Sequence, residues 1–257
     1  MNLFKSACLT FTIVSAILVV TTSSKCKASR GIDVLQQPAD GFAVMELFTS
    51  QGCSSCPPAD NLSGKFAGQN NANLIALAFH VDYWNRLGWT DSFSSEKYSN
   101  RQRDYASSIN NSSVYTPQLI INGTKEFVGS DETKIATEIA NVLKQKPAVF
   151  VSIDRITITA NKVTINYSLN RSCDNSSLRA ALVQKQVFTN ILKGENRGLK
   201  LTNYNVVRDF VSVNAKDISA SVDLQKPAGY NEKDFSIVLF VQENTSLKII
   251  GAVKKNL

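Results

Sequence analysis

The sequence predicts an α/β fold over its first half and an all-β fold, of sandwich type, over its second. Three observations carry this. Two apolar runs of strand length, Ala43 to Phe48 and Leu74 to Phe79, are separated by a polar, proline-bearing loop and a stretch with helical spacing. Strand-like and helix-like patterns keep alternating as far as Lys146. From Ala148 onward helical periodicity stops, and short β-rich runs alternate with turns.

The elements follow in order. Residues 29–41 read as an irregular lead-in that ends at Gly41. Ala43 to Phe48 holds one acid, Glu46, in an otherwise apolar run and reads as a buried strand. Thr49 to Pro58 is polar and punctuated, hence a loop. Ala59, Leu62 and Phe66 recur at helical spacing, so a short helix carries the chain on from the prolines. Leu74 to Phe79 is the second buried strand, and His80 to Ser94 is a loop rich in aromatic residues.

Ser95 to Ile109 predicts a helix with Tyr98, Tyr105, Ala106 and Ile109 on one face. Leu119 to Ile121 and Glu126 to Val128 form a hairpin about Asn122-Gly123. Ser130 suits a helix N-cap, with Asp131 and Glu132 in the first turn. Ile135, Ile139, Val142 and Leu143 give that helix an apolar stripe, and Pro147 stops it. The order over residues 42–146 is therefore β-α-β-α-β-β-α. Residues 147–257 form the β-rich part, with strand runs Val149–Thr159, Lys162–Leu169, Leu178–Phe188, Val206–Val213, Phe235–Val241 and Lys248–Val253.

The chain has 257 residues, 43% of them hydrophobic, enough for an ordinary packed core. Residues 1–28 have the order of an export signal: Lys5, an apolar run from Ala7 to Val20, then small residues. That run is short for a bilayer span, and no later segment is longer, so no stable membrane span is expected after cleavage. The expected location is periplasmic or secreted. The formal charge is +7, and removal of Lys5, Lys25 and Lys27 with the signal leaves +4. No dense Lys/Arg run and no basic stripe with interleaved aromatics is present, which argues against nucleic-acid binding.

Cysteine usage is the informative feature. Cys8 lies in the signal, and Cys26 stands near its end. Cys53 and Cys56 form one close pair, and Cys173 stands far away in a polar turn. For Cys173 a free surface thiol is the default expectation, with pairing to Cys26 the alternative. Two cysteines three apart, on a loop between a buried strand and a helix, suit thiol–disulfide exchange. The first thiol lies near helix N–H groups that favour a thiolate, and the second can resolve a mixed disulfide. A structural disulfide, half of a zinc site and a peroxidatic cysteine are the competing readings.

The strand, the Cys53-x-x-Cys56 pair, the following helix and Thr116-Pro117 resemble the thioredoxin superfamily. More closely, Glu46 to Asp60, His80-Val81-Asp82-Tyr83-Trp84, Leu87-Gly88-Trp89, Arg101-Gln102-Arg103, Val114 to Gln118 and Val128 to Asp131 resemble a bacterial family of secreted thioredoxin-like proteins. That family is catalogued as a domain of unknown function, number 1223. The resemblance implies a thioredoxin-like fold over residues 42–146. It implies a cis proline at Pro117 facing the pair, with Thr116 offering its backbone to an extended polypeptide. It also implies a buried acid that shuttles a proton to the resolving thiol, a role that falls on Glu46, with a structural acid as the alternative. Pro57 and Pro58 depart from better-known thioredoxins. Neither donates a backbone hydrogen bond, and Pro57 at the first helical position leaves Cys53 a turn upstream.

His80 and Asp82 are two apart in an extended segment and point the same way. They suit a base with its orienting acid, two metal ligands, or a histidine that is merely satisfied. Trp84, with Tyr83 and Trp89, either walls the site or packs. Arg101 and Arg103 have Asp82, Asp91 and Glu46 as candidate partners. The leading reading is an exported thiol–disulfide oxidoreductase, with Cys53 attacking and Cys56 resolving. Its partners would be polypeptide thiols or disulfides and a redox partner, and the chemistry calls for no cofactor and no resident metal. The alternatives are a non-catalytic binding protein with a structural disulfide, and a metal chaperone using Cys53, Cys56 and His80.

Overall fold

The computed structural model describes residues 27–28, 41–69, 71–109 and 113–257. The signal and lead-in readings, apart from residues 27–28 and 41, lie outside these residues, as do Cys8 and Cys26. The strands are β1 (Lys27–Ala28), β2 (Ala43–Thr49), β3 (Leu74–His80), β4 (Gln118–Ile121), β5 (Lys125–Val128), β6 (Val151–Ile158) and β7 (Lys162–Leu169). They continue with β8 (Arg171–Ser172), β9 (Ser176–Asn190), β10 (Lys200–Asn214), β11 (Ser219–Gln225), β12 (Phe235–Glu243) and β13 (Ile249–Asn256). The helices are α1 (Pro57–Ala67), α2 (Glu96–Ser108) and α3 (Glu132–Val142). None of the described helices is long and apolar enough to cross a membrane.

The expected division into a thioredoxin-like domain and a separate β sandwich is not what the chain builds. Strands from both halves share one eight-stranded sheet, ordered β13-β12-β9-β10-β3-β2-β4-β5. The junction is β10. One edge pairs antiparallel with β9 along its length, and the other meets β3 in parallel at Val206 and Ala78. The physical reason is edge protection: without β10, the apolar strand β3 would present an open edge. A second sheet, β11-β7-β6, packs on the C-terminal part of the large one. Its strand β11 lies outside the runs expected from sequence.

Period-two alternation sends side chains of each strand to two different cores. On β2, Met45 and Leu47 face α1 and α3. Val44 and Phe48 face the other way, into a cluster with Tyr98 and Tyr105 of α2. That second cluster also takes Ala181, Val207, Phe210 and Phe240 from the C-terminal strands, so α2 packs on both halves at once. Both faces of β2 and β3 are covered, which explains why the two strands read as continuous apolar runs.

The helix ends follow local chemistry. Ser95 caps α2, its hydroxyl accepting from the Lys97 N–H at 3.3 Å. Asp131, one residue beyond the expected Ser130, caps α3 by accepting from the Lys134 N–H at 3.2 Å. Cys56 is the N-cap of α1, with Pro57 and Pro58 at the first two helical positions.

Candidate functional site

Cys53 and Cys56 are joined in a disulfide with Cα atoms 5.4 Å apart, on the loop that enters α1. Both residues are 0% exposed, whereas Ser54 and Ser55 between them are exposed. The loop is a run of tight turns: the Cys53 N–H donates to the Ser50 carbonyl, and the Cys56 N–H to the Cys53 carbonyl, each at 3.2 Å. The helix lends Cys53 little. Pro57 and Pro58 have no N–H, and the N–H groups of Ala59 and Asp60 donate to the Cys56 carbonyl. The local donor to Cys53 is instead the Ser55 hydroxyl, 3.3 Å from Sγ. The Thr116–Pro117 bond is cis, and the Thr116 carbonyl lies 4.0 Å from Cys53 Sγ. The Trp84 indole N–H donates to Thr116 Oγ1 at 2.8 Å, which holds Trp84 beside Thr116.

Gly129 closes the gap behind the proline. Its N–H donates to the Pro117 carbonyl at 2.9 Å. A Cβ at residue 129 would lie 2.8 Å from Leu47 Cδ1, 3.0 Å from Pro117 Cβ and 3.1 Å from Ala59 Cβ. Gly129→Ala is therefore expected to displace Pro117 and to cost about 1–3 kcal/mol, checked by urea denaturation.

Glu46 does not stand behind the pair. It shares its sheet face with Val44 and Phe48, away from α1, and lies 0% exposed. Arg101 of α2 grips it with Nε to Oε2 at 2.6 Å and Nη2 to Oε1 at 2.9 Å, and the Tyr105 hydroxyl also donates to it. Arg101 Nη1 reaches Gln242 Oε1 of β12 at 3.2 Å. Glu46 thus belongs to a buried ion pair that ties the two halves together, and the alternative of a structural acid is the one the geometry supports.

The buried acid of the helix that follows the pair is Asp60, which the sequence reading did not single out. It lies four residues after Cys56, on the same helical face, and is 4% exposed. Its Oδ2 accepts from the Thr49 hydroxyl at 3.2 Å, and its Oδ1 has no partner. Burial pushes its pKa up to about 7, against the opposing pull of His80 and Thr49.

His80 shares this face. It pairs in register with Thr49, and its Nε2 has no partner. Its orienting acid is Asp91, not Asp82: Nδ1 lies 2.6 Å from Asp91 Oδ2. Burial opposes the imidazolium, but the Asp91 carboxylate outweighs it, and the His80 pKa is raised. Burial likewise opposes the Asp91 carboxylate, but His80 and the Gln51 and Phe93 N–H groups hold its pKa down. Asp82 turns away and accepts from the Ser99 hydroxyl. Arg103 bonds Asn100 rather than an acid of the site.

The C-terminal half completes the site, and the sequence carried no signal for this. Asn196, in the connection between β9 and β10, donates from Nδ2 to the carbonyls of Gln51 and Cys53, both at 2.9 Å. Glu195 Oε2 accepts from the Ser54 N–H at 3.0 Å, and the Ser54 hydroxyl and N–H together hold its pKa down. Gln51 Nε2 donates to Thr189 at 3.0 Å and Asn203 at 2.8 Å, and Gln51 Oε1 accepts from the Trp89 indole at 3.2 Å.

Cys173 departs from the default expectation of a free surface thiol. It is buried and disulfide-bonded. Strand β8, immediately before it, pairs Ser172 with Lys27 and Arg171 with Ala28. The alternative pairing with Cys26 falls on a residue outside the described set. Among the described residues, no group of three or more His, Cys, Asp or Glu side chains is arranged to hold a metal.

Comparison with known proteins places this architecture in a family. A family model described as "Protein of unknown function (DUF1223)" matches residues 44–242, and the chain belongs to that family. The chain is similar in structure to protein AGR_C_4864 from Agrobacterium tumefaciens, with 30% identity and a TM-score of 0.64, over 82% of this chain and 92% of that one. It also shares its fold with HBP35 of Porphyromonas gingivalis, at 14% identity and a TM-score of 0.58, over 86% of this chain and 77% of that one. None of the curated proteins matches.

Proposed function

We propose that this DUF1223-family chain is an exported thiol–disulfide oxidoreductase that acts on polypeptide thiols or disulfides. The observation that carries the reading is the setting of the Cys53–Cys56 disulfide. Cys53 Sγ lies 4.0 Å from the Thr116 carbonyl, and Asp60, a buried carboxyl with its pKa pushed up to about 7, follows Cys56 on the same face of α1. Export is supported by the disulfide-bonded state of Cys53, Cys56 and Cys173, which suits an oxidising compartment.

The exchange runs in two displacements. A substrate thiolate attacks Cys53 Sγ, a mixed disulfide forms, and Cys56 leaves as a thiolate. A second substrate thiolate attacks the substrate sulfur of that bond, and Cys53 leaves as a thiolate. The substrate dithiol is oxidised to a disulfide and the protein pair is reduced by the same two electrons. Protonated Asp60 gives its proton to the Cys56 thiolate as it leaves. In reverse, ionised Asp60 takes the proton from the Cys56 thiol. A carboxyl that titrates near pH 7 serves both directions. The test is stopped-flow mixing of the reduced protein with a synthetic peptide disulfide. The expected rate exceeds that of a free dithiol at equal concentration. An equal rate would contradict the reading.

Asp60 gives a pH signature of its own. Its folded pKa, about 7, stands above the ordinary value of 3.8. Between those values the folded state holds a proton that the unfolded state has lost, so stability falls as pH rises through this window and levels above it. Relative to Asp60→Asn, wild-type stability is expected to drop by about 2–4 kcal/mol from pH 4 to pH 8. Urea denaturation at several pH values checks this, and a constant difference would contradict it.

The complete burial of both cysteines favours a second reading, a binding protein whose disulfide is a permanent staple. In that case both Cys→Ser variants lose melting temperature and no exchange is seen.

A further inference from the structure

The connection between β9 and β10, residues 191–199, is bonded to the backbone of the Cys53 loop and also carries an unusual surface. Six large hydrophobic side chains are exposed among the described residues, and four of them lie here or against this connection: Leu87, Phe188, Leu192 and Leu199. The base of the connection is pinned by the Ile191 N–H to the Leu199 carbonyl at 2.9 Å and the Gly198 N–H to the Ile191 carbonyl at 2.8 Å. Gly194, at φ +76°, packs against the loop of Leu87: a Cβ there would stand 3.1 Å from Trp89 Cβ and 3.7 Å from the Leu87 carbonyl. The left-handed backbone and this close approach both require glycine.

Cations border the apolar side chains. Arg86, Lys193, Arg197 and Lys200 are all exposed, and the Lys200 ammonium lies 5.2 Å from the centre of the Phe188 ring. The acid of the connection, Glu195, is spent on the Ser54 N–H. The surface is therefore apolar and positive, and it is continuous with the redox loop through Glu195 and Asn196.

We propose that this connection is the docking cover of the redox pair, and that it takes an extended polypeptide in which apolar residues are interspersed with acidic ones. The proposal rests on the exchange reading. Both cysteines are fully buried, and Asn196, itself 3% exposed, is bonded to the Gln51 and Cys53 carbonyls. A polypeptide sulfur reaches Cys53 only when this contact and the Glu195–Ser54 bond open. Binding on Leu192, Leu199 and Phe188 favours the open arrangement because those contacts are made best there. Glu195 and Asn196 are positioning residues: they act through the Cys53 loop and touch no reacting atom.

The test uses the full mature chain, reduced, and three probes: oxidised glutathione, a peptide disulfide with Leu and Glu around its cysteine, and the same peptide with Ser and Lys in those places. The wild type is expected to react roughly tenfold faster with the Leu/Glu peptide than with the Ser/Lys peptide, since burying even one leucine supplies that factor. Added salt should narrow the gap. The double variant Leu192→Ser/Leu199→Ser should lose most of the preference. Glu195→Gln and Asn196→Ala should react faster than wild type with glutathione, an increase that a merely structural role would not produce. Equal rates with the two peptides, unchanged in the variants, would overturn the docking proposal while leaving exchange intact. Failure to react even with glutathione would remove the exchange reading and this proposal with it.

Discussion

Cys53→Ser is expected to abolish exchange, whereas Cys56→Ser is expected to keep the first displacement and stop there. The asymmetry follows from position. Cys53 Sγ lies 4.0 Å from the Thr116 carbonyl, where a docked polypeptide would run, and 3.3 Å from the Ser55 hydroxyl. Cys56 is the N-cap of α1, on the helical face that carries Asp60. A nucleophile at Cys53 without a resolving partner should accumulate a mixed disulfide with substrate, visible on a gel as a species that reductant collapses. With Cys53 removed, neither turnover nor the trapped species should form. Equal residual turnover in the two variants would contradict the assignment.

Arg101→Ala is expected to destabilise the fold by about 3–5 kcal/mol, because it leaves a buried carboxylate without its cation. Glu46 is 0% exposed and meets Arg101 at 2.6 and 2.9 Å. Arg101 also stacks against Phe79, Tyr105, Phe210 and Phe240, with its guanidinium carbon 4.9–5.6 Å from each ring centre. In the variant, Glu46 would be buried with no cation. Equilibrium urea denaturation of the two proteins measures the loss. A loss below about 1 kcal/mol, the ordinary range for a surface ion pair, would contradict the structural role.

Much of the local structure was legible because it depends on neighbours in sequence. The apolar runs of β2 and β3, the proline start of α1, the start of α2 near Ser95 and the Asn122-Gly123 turn all follow from residues within a few positions. The pairing of β10 with β3 was not legible. It is a contact between segments more than a hundred residues apart, and alternation marks a strand without saying which edge it will join. The same limit hid the contribution of Glu195 and Asn196, which the fold brings to the Cys53 loop across separations of 141 and 143 residues.

Of the two roles open to Glu46, the structural one follows from the parity of its strand, which points it at Arg101. Asp60 stands in the first turn of α1, where acids are common. The available signal was its spacing of four from Cys56, which sets it on the face of the helix that carries the thiol. The partner of His80 lies eleven residues on, at Asp91, because the loop folds back over the strand end.

The measurement that tests the account most directly is the reduction potential of the Cys53–Cys56 pair in the mature protein, by thiol trapping across a graded glutathione buffer. The account predicts that the pair equilibrates at a value between about −120 and −270 mV, the span of exchange catalysts. A value below about −300 mV, or no equilibration at all, would mark a structural disulfide and contradict the proposed function.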